Sequence, residues 1–141
     1  GGRFIFGWAK PVPYNPFNLK NPERAAGLIA IAGPISNLII AVIFSILFHL
    51  IKFLPISDLW LSSLVQLLTM IDLINIMLAV FNLVPLPPLD GSKVLFALLP
   101  KSFHQLRSFL EQYGSILLIV FILFGFRLIY PIIDLIYGFL I

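Results

Sequence analysis

The stretch Phe81-Asn82-Leu83-Val84-Pro85-Leu86-Pro87-Pro88-Leu89-Asp90-Gly91 decides how this chain folds. Its three prolines remove backbone donors and push the residues before them out of the helical region, so a helix arriving through Asn82 must end near Val84. Lipid cannot satisfy the backbone amides of an extended segment, which at membrane depth must therefore be buried in protein or line a polar cavity. We predict a proline-rich re-entrant loop, residues 85–92, that faces an internal cavity.

The composition around this loop is that of a membrane protein. Hydrophobic residues make up 60% of the 141 positions and charged residues only 11%, and the mean hydropathy is +1.07. Soluble domains do not have this composition, and several apolar runs approach the roughly 20 residues that cross a bilayer as a helix. We therefore predict an all-α polytopic membrane protein, a single membrane domain with about three transmembrane helices. Its expected parts are an interfacial strand or loop at 1–24, span one at 25–54, span two at 59–84, the loop at 85–92, and a last span with a terminal helix at 113–141.

The last apolar segment allows two interpretations, because Arg127, Pro131 and Asp134 interrupt it. It is either one kinked span in which Arg127 contacts Asp134, or a short span to Phe126 followed by an interfacial helix. We prefer the second interpretation.

Asp90 is a carboxylate in a very apolar setting, and two roles are open to it. Asp90, Gly91 and Ser92 precede a short helix expected from Lys93 to Leu99, and aspartate is a common N-cap. The alternative is a polar role in the cavity that the loop faces.

Span two carries a polar stripe that ends next to the loop. Asp72, Asn75 and Asn82 share one helical face, which should point at a cavity or at partner helices. Asp72 is nearly three turns from the Asp90 loop, so we do not expect it to share a site with Asp90. In span one, Asn37 should face the bundle interior, where an interhelical hydrogen bond worth about 1 kcal/mol or less is a sufficient explanation.

Three motifs in order, GWAKPVPYNP (7–16), AGPISN (32–37) and FNLVPLPPLDG (81–91), resemble the carboxy-terminal part of the site-2 proteases, a family of intramembrane zinc metalloproteases. The resemblance implies that Asp90 is a zinc ligand. It also implies that Asn82 steadies the substrate carbonyl or the tetrahedral intermediate, and that Asn37 helps to position the substrate or the catalytic loop.

One departure from the family pattern limits what this chain would do alone. The family's other two zinc ligands and its general base lie in an H-E-x-x-H helix, which this sequence lacks. Its two histidines, His49 and His104, are far apart and have no glutamate nearby. We therefore expect a fragment or truncated gene product, inactive alone, whose catalytic helix precedes the GWAKPVP loop.

The function that the resemblance implies is zinc-dependent intramembrane endopeptidase activity on transmembrane protein substrates within the lipid bilayer. A second hypothesis is a catalytically inactive membrane scaffold or adaptor, and a third is a small transporter component, although the chain shows no inverted repeat. The absence of cysteine excludes thiolate metal sites. Nucleic-acid binding is not expected, because the positive residues sit at span ends.

The distribution of positive charge predicts the orientation in the membrane. Lysine and arginine residues precede span one and follow span two, whereas the intervening turn has only Lys52, balanced by Asp58. By the positive-inside rule both flanks are cytoplasmic, as is the Asp90 loop. We expect an integral, multi-pass protein of a bacterial-type plasma membrane.

Overall fold

A computed structural model describes residues 22–55 and 57–141, apart from the side chain of Lys101. These residues form helices almost throughout, with no strand among them. The elements are α1 (Pro22–Ile51), α2 (Asp58–Asn82), α3 (Asp90–Leu98), a 3₁₀ turn (Lys101–Phe103), α4 (His104–Val120), a π-helical segment (Phe121–Gly125) and α5 (Phe126–Leu140). The interfacial strand expected within residues 1–24 falls mostly outside the described residues.

Three of the helical stretches are long and apolar enough to cross a membrane. They are Pro22–Ile51 with 30 residues, Asp58–Asn82 with 25, and the continuous stretch His104–Leu140 with 37. At about 1.5 Å of rise per residue, each exceeds the roughly 30 Å of a hydrocarbon core. Large apolar side chains are exposed along all three. The prediction of an all-α polytopic membrane protein is confirmed.

The core of the bundle lies where α1, α2 and α5 meet. Ala41 of α1, Ile76 and Val80 of α2, and Ile129 and Ile133 of α5 form one buried apolar cluster. The short connection between α1 and α2 makes these two helices antiparallel, and α5 packs chiefly on α2. Small side chains such as Ala30, Ala41 and Ser45 are buried inside the bundle, whereas many large apolar side chains are exposed.

The helix continues through Phe126, as the kinked-span interpretation requires, and the interfacial position that we preferred for the residues after Phe126 stays a prediction. The helix continues from His104 to Leu140, and its regular α-helical pattern is interrupted only by a short π-helical segment at Phe121–Gly125. A π segment changes the helical register without interrupting the hydrogen-bonded backbone, which is why the chain can continue across the bilayer. The contact expected between Arg127 and Asp134 is not among the ion pairs of the described residues.

Both ends of the last helix form polar contacts with α1. At one end, the Arg107 guanidinium donates to Glu23 of α1 at 2.6 Å and to Glu111 of its own helix at 2.9 Å. At the other end, the Leu140 carbonyl accepts from the Ser45 hydroxyl and lies 3.1 Å from His49 Nε2. The last helix therefore points in the same direction as α1.

Candidate active-site loop

The proline-rich segment forms a tight non-helical connection, as its sequence predicts. Helix α2 ends at Asn82, turns carry the chain from Leu83 to Leu89, and α3 begins at Asp90. Helix α4 lies against this connection, because a Cβ placed on Gly114 would be 2.6 Å from Pro87 Cβ. The connection is thus held between the end of α2 and the side of α4.

Asp90 is the first residue of α3 and not its N-cap. The N-cap is Leu89, with extended backbone at φ −68° and ψ 155° and no side-chain cap bond. The helix thus starts earlier than the expected Lys93, and residues 90–92 are helical. An N-cap side chain accepts a bond from the first-turn amides, whereas the Asp90 carboxylate accepts one from the Lys93 ammonium at 2.9 Å. The capping explanation of Asp90 is therefore wrong.

The Asp90 carboxylate lies between α3 and α1. Its Oδ2 would be 3.4 Å from a Cβ at Gly33, so this oxygen faces the AGPISN motif. About a third of the side chain is exposed. Lys93 was not among the residues singled out from sequence, although its spacing of three from Asp90 on a helix predicts such a pair.

Two close backbone approaches fix the position of α3. A Cβ on Gly91 would collide with the backbone carbonyls of Leu83 and Val84, and one on Gly27 would lie 2.6 Å from Ala97 Cβ. The contact of Gly91 puts the start of α3 against the end of α2. The contact of Gly27 with Ala97 places the last turn of α3 on α1. Together they hold Asp90 beside both long helices.

The two asparagines predicted from sequence lie on the elements that border Asp90. Asn82 is the last residue of α2, next to Leu83, whose carbonyl abuts Gly91. Asn37 lies one helical turn beyond Gly33 on α1. Both are half-buried, and neither side-chain amide is engaged in a hydrogen bond among the described residues. In contrast, the Asn75 amide donates to the Ile71 carbonyl of its own helix at 2.8 Å.

Asp72 lies apart from this group. Its side chain is fully buried in α2, and neither carboxylate oxygen has a hydrogen-bond partner within the described residues. The three polar residues predicted to share one face of α2 thus lie in different environments. Asp72 is a buried acid, the Asn75 amide is hydrogen-bonded within its own helix, and Asn82 lies at the helix end beside the loop.

At the loop, the described residues supply one carboxylate that could bind zinc, that of Asp90, and not a full set of zinc ligands. No group of three histidine, cysteine, aspartate or glutamate side chains comes together among residues 22–55 and 57–141. His49 lies near Leu140 at one end of α1, while His104 begins α4 near Glu23 at the other end. Since structural and catalytic zinc sites use at least three protein ligands, the residues described here do not make one by themselves.

The region around this loop is similar to a known peptidase family. The model of peptidase family M50 matches residues 47–126, which include α2, the proline-rich connection, Asp90 and α4. The chain belongs to peptidase family M50. The predicted relationship to the site-2 proteases is therefore confirmed.

Relatives of this M50 chain carry names that agree with the family. It is 38% identical over 117 residues to Putative zinc metalloprotease YwhC of Bacillus subtilis, an alignment that covers 82% of this chain and 53% of that protein. It is 32% identical over 108 residues to Zinc metalloprotease MJ0392 of Methanocaldococcus jannaschii, covering 75% of this chain and 30% of that protein. The chain thus spans about half of YwhC and less of MJ0392. No solved structure matches it.

Proposed function

We propose that the intact gene product is a zinc-dependent intramembrane endopeptidase that cleaves transmembrane protein substrates, and that this chain contributes Asp90 as one zinc ligand. The observation that carries the proposal is the place of Asp90, a partly exposed carboxylate beside α1 and α2 at the end of the proline-rich connection. Membership of family M50 and the names of the relatives support the same activity. The remaining ligands and the general base would come from elsewhere in the gene product.

Each nearby residue has a distinct role in this proposal. Asp90 would bind the metal through the oxygen that faces Gly33, and Lys93 holds the other oxygen, which orients the carboxylate. Asn82 would donate its free amide to the oxyanion that forms on the substrate carbonyl, because neutral donors placed where charge develops stabilise such intermediates. Asn37 would position the substrate or the loop from the α1 side.

The first experiment measures zinc in the purified intact gene product by elemental analysis. We expect about one zinc per molecule, lost in Asp90→Ala together with cleavage of a transmembrane substrate, since a three-ligand site that loses one ligand binds metal weakly. The matched control is Asp58→Asn, an exposed aspartate at the start of α2, which should keep both zinc and activity. Zinc retained in Asp90→Ala would contradict the assignment of Asp90 as a ligand.

A second candidate is a membrane scaffold or adaptor that kept the fold without the chemistry. It is favoured by the Lys93 ammonium, which already pairs with Asp90 and neutralises its charge without a metal. In that case neither the parent protein nor Asp90→Ala would hold zinc, and the substrate would remain uncut in both.

A further inference from the structure

Asp72 is a buried acid that the proposed protease mechanism does not use. Its side chain is 0% exposed, and neither carboxylate oxygen has a hydrogen-bond partner within residues 22–55 and 57–141. The ion pairs of this part of the chain do not include it. Ionisable side chains within membrane helices are rare and normally pair with one another or with backbone carbonyls, because a buried charge without a partner is very costly. Asp72 therefore needs a partner or a neutral state.

The described helices enclose the Asp72 carboxyl group by themselves. One turn along α2, Ile76 belongs to a buried cluster with Ala41 of α1. One turn in the other direction, Leu68 belongs to a second buried cluster with Phe48 of α1. Because neither carboxyl oxygen is accessible, lipid or another part of the gene product cannot contact it without displacing these helices. We therefore look for its partner within the bundle.

Ser45 of α1 is the polar side chain at the same level as Asp72. It lies four residues after Ala41 and three before Phe48, so it shares their helical face, and it is itself buried. Since α1 and α2 are antiparallel, the position between Ala41 and Phe48 on α1 lies opposite the position of Asp72 on α2. The Ser45 hydroxyl is therefore the side-chain partner within reach of a rotation of Asp72.

The direction of the Ser45 hydrogen bond indicates that Asp72 is neutral. Ser45 donates its only hydrogen to the Leu140 carbonyl of α5. A hydroxyl close to an ionised carboxylate would donate to that group instead, because hydrogen bonds to charged acceptors are roughly twice as strong as neutral ones. The Ser45 oxygen still has lone pairs to accept a bond. A carboxylic acid can donate to them, whereas a carboxylate has no hydrogen to give.

The titratable side chains on the neighbouring helices are directed elsewhere. On α1, His49 Nε2 lies 3.1 Å from a backbone carbonyl of α5, and Lys52 Nζ lies 4.0 Å from the centroid of an aromatic ring of its own helix. On α5, Asp134 is exposed and Tyr137 is half-buried. Among the described ion pairs, no cation from these helices neutralises Asp72.

We propose that Asp72 is a buried proton-binding site, a neutral carboxylic acid whose O–H donates to the Ser45 hydroxyl oxygen. The described residues do not form this bond, so it requires a rotation of the Asp72 side chain. With the bond from Ser45 to Leu140, it makes a chain of two hydrogen bonds that joins α2, α1 and α5. Linked hydrogen bonds strengthen one another in a low-dielectric interior. The chain fixes the register of the three helices about 15 Å along α2 from Asn82, whatever the activity of the gene product.

Infrared difference spectroscopy of the purified intact gene product at neutral pH tests the protonation directly. Subtracting the spectrum of Asp72→Asn from that of the parent should leave the carbonyl band of one neutral carboxylic acid. The matched control is Asp58→Asn, an exposed aspartate in the first turn of the same helix, whose difference spectrum should contain only the bands of an ionised carboxylate. Carboxylate bands in place of the acid band for Asp72→Asn would overturn the proposal.

A double-mutant cycle tests whether Ser45 is the acceptor. Asp72→Leu and Ser45→Ala should be coupled about three- to fifteenfold in the unfolding equilibrium constant in mixed micelles, the range for polar contacts between membrane helices. In the control cycle, Asp72→Leu and Ser36→Ala should be uncoupled, because the Ser36 hydroxyl donates to Gly33 within α1 at 2.7 Å. Asp72→Asn keeps a donor and should retain the parental stability. Absence of coupling with Ser45, or an Asp72→Asn variant as unstable as Asp72→Leu, would contradict the proposed bond.

Discussion

At the scale of single residues, the difference between Asn75 and Asn82 shows how position determines chemistry. Both are asparagines on α2, separated by about two turns. Asn75 donates its amide to Ile71 in its own helix, so it has little left to offer a substrate. Asn82 ends the helix, and its amide is free among the described residues. Of these two asparagines on α2, Asn82 is therefore the one that we propose as an oxyanion donor.

We predict that Asn82→Ala lowers the kcat of the intact gene product by about 10² to 10³ while its zinc content stays unchanged, the usual loss for one oxyanion donor. The measurement is cleavage of a transmembrane substrate in parallel with metal analysis. Asn75→Ala serves as the control and should cleave at close to the parental rate. Loss of zinc in Asn82→Ala would mean that Asn82 supports the metal site or the fold and does not stabilise the intermediate.

At the scale of secondary-structure elements, the short helix α3 places Asp90 because it lies closely on α1. The approach depends on Gly27, where any side chain would meet Ala97. A helix of nine residues is not stable by itself, so this packing, together with the contact of Gly91 with Leu83, holds it in place. Displacement of α3 by an ångström would move the carboxylate by a similar distance.

We predict that Gly27→Ala reduces zinc content and thermal stability, and that adding Ala97→Gly restores both. The second substitution removes the Cβ that the new methyl group meets at 2.6 Å, and the next atom, the Lys93 carbonyl oxygen, is 3.4 Å away. Ala97→Gly alone should cost about 0.5–1 kcal/mol, the ordinary effect of glycine within a helix. Thermal unfolding in detergent and metal analysis check these expectations. Simple addition of the two single effects in the double variant would show that the residues do not meet.

At the scale of the whole molecule, three helices long enough to cross a membrane and the positive-inside rule together predict which side each connection faces. The turn after α1 should lie outside the cell, and the segment between α3 and α4, with Lys101, should lie inside it together with Arg107 in the first turn of α4. We predict that the Asp90 loop lies toward the cytoplasmic side. Under the proposed function, a substrate helix would then be cut in the cytoplasmic half of the bilayer.

Single cysteines test this topology in the cysteine-free chain. We expect Ser57→Cys to react with a membrane-impermeant maleimide in intact cells, and Ser102→Cys to react only after permeabilisation. The parent without cysteine gives the background. Labelling of Ser102→Cys in intact cells would reverse the proposed orientation.

The sequence by itself determined the membrane class, the family, the end of α2 and the sharp turns after it. These features follow from local chemistry: apolar runs exceed the length of a bilayer crossing, and the prolines of the 81–91 stretch forbid a continuous helix. The motifs also singled out Asp90, Asn82 and Asn37, whose roles stay predictions.

Only the tertiary structure decided that Asp90 faces Gly33 of α1, that α3 rests on Gly27, and that His104–Leu140 is one helix. The sequence around Arg127, Pro131 and Asp134 looks like a break, because proline and charge each disfavour an apolar helix. Packing of Ile129 and Ile133 against α1 and α2 stabilises that helix across the interruption. Which face of a helix is buried depends on contacts between residues far apart in the chain, and periodicity within one helix does not contain that information.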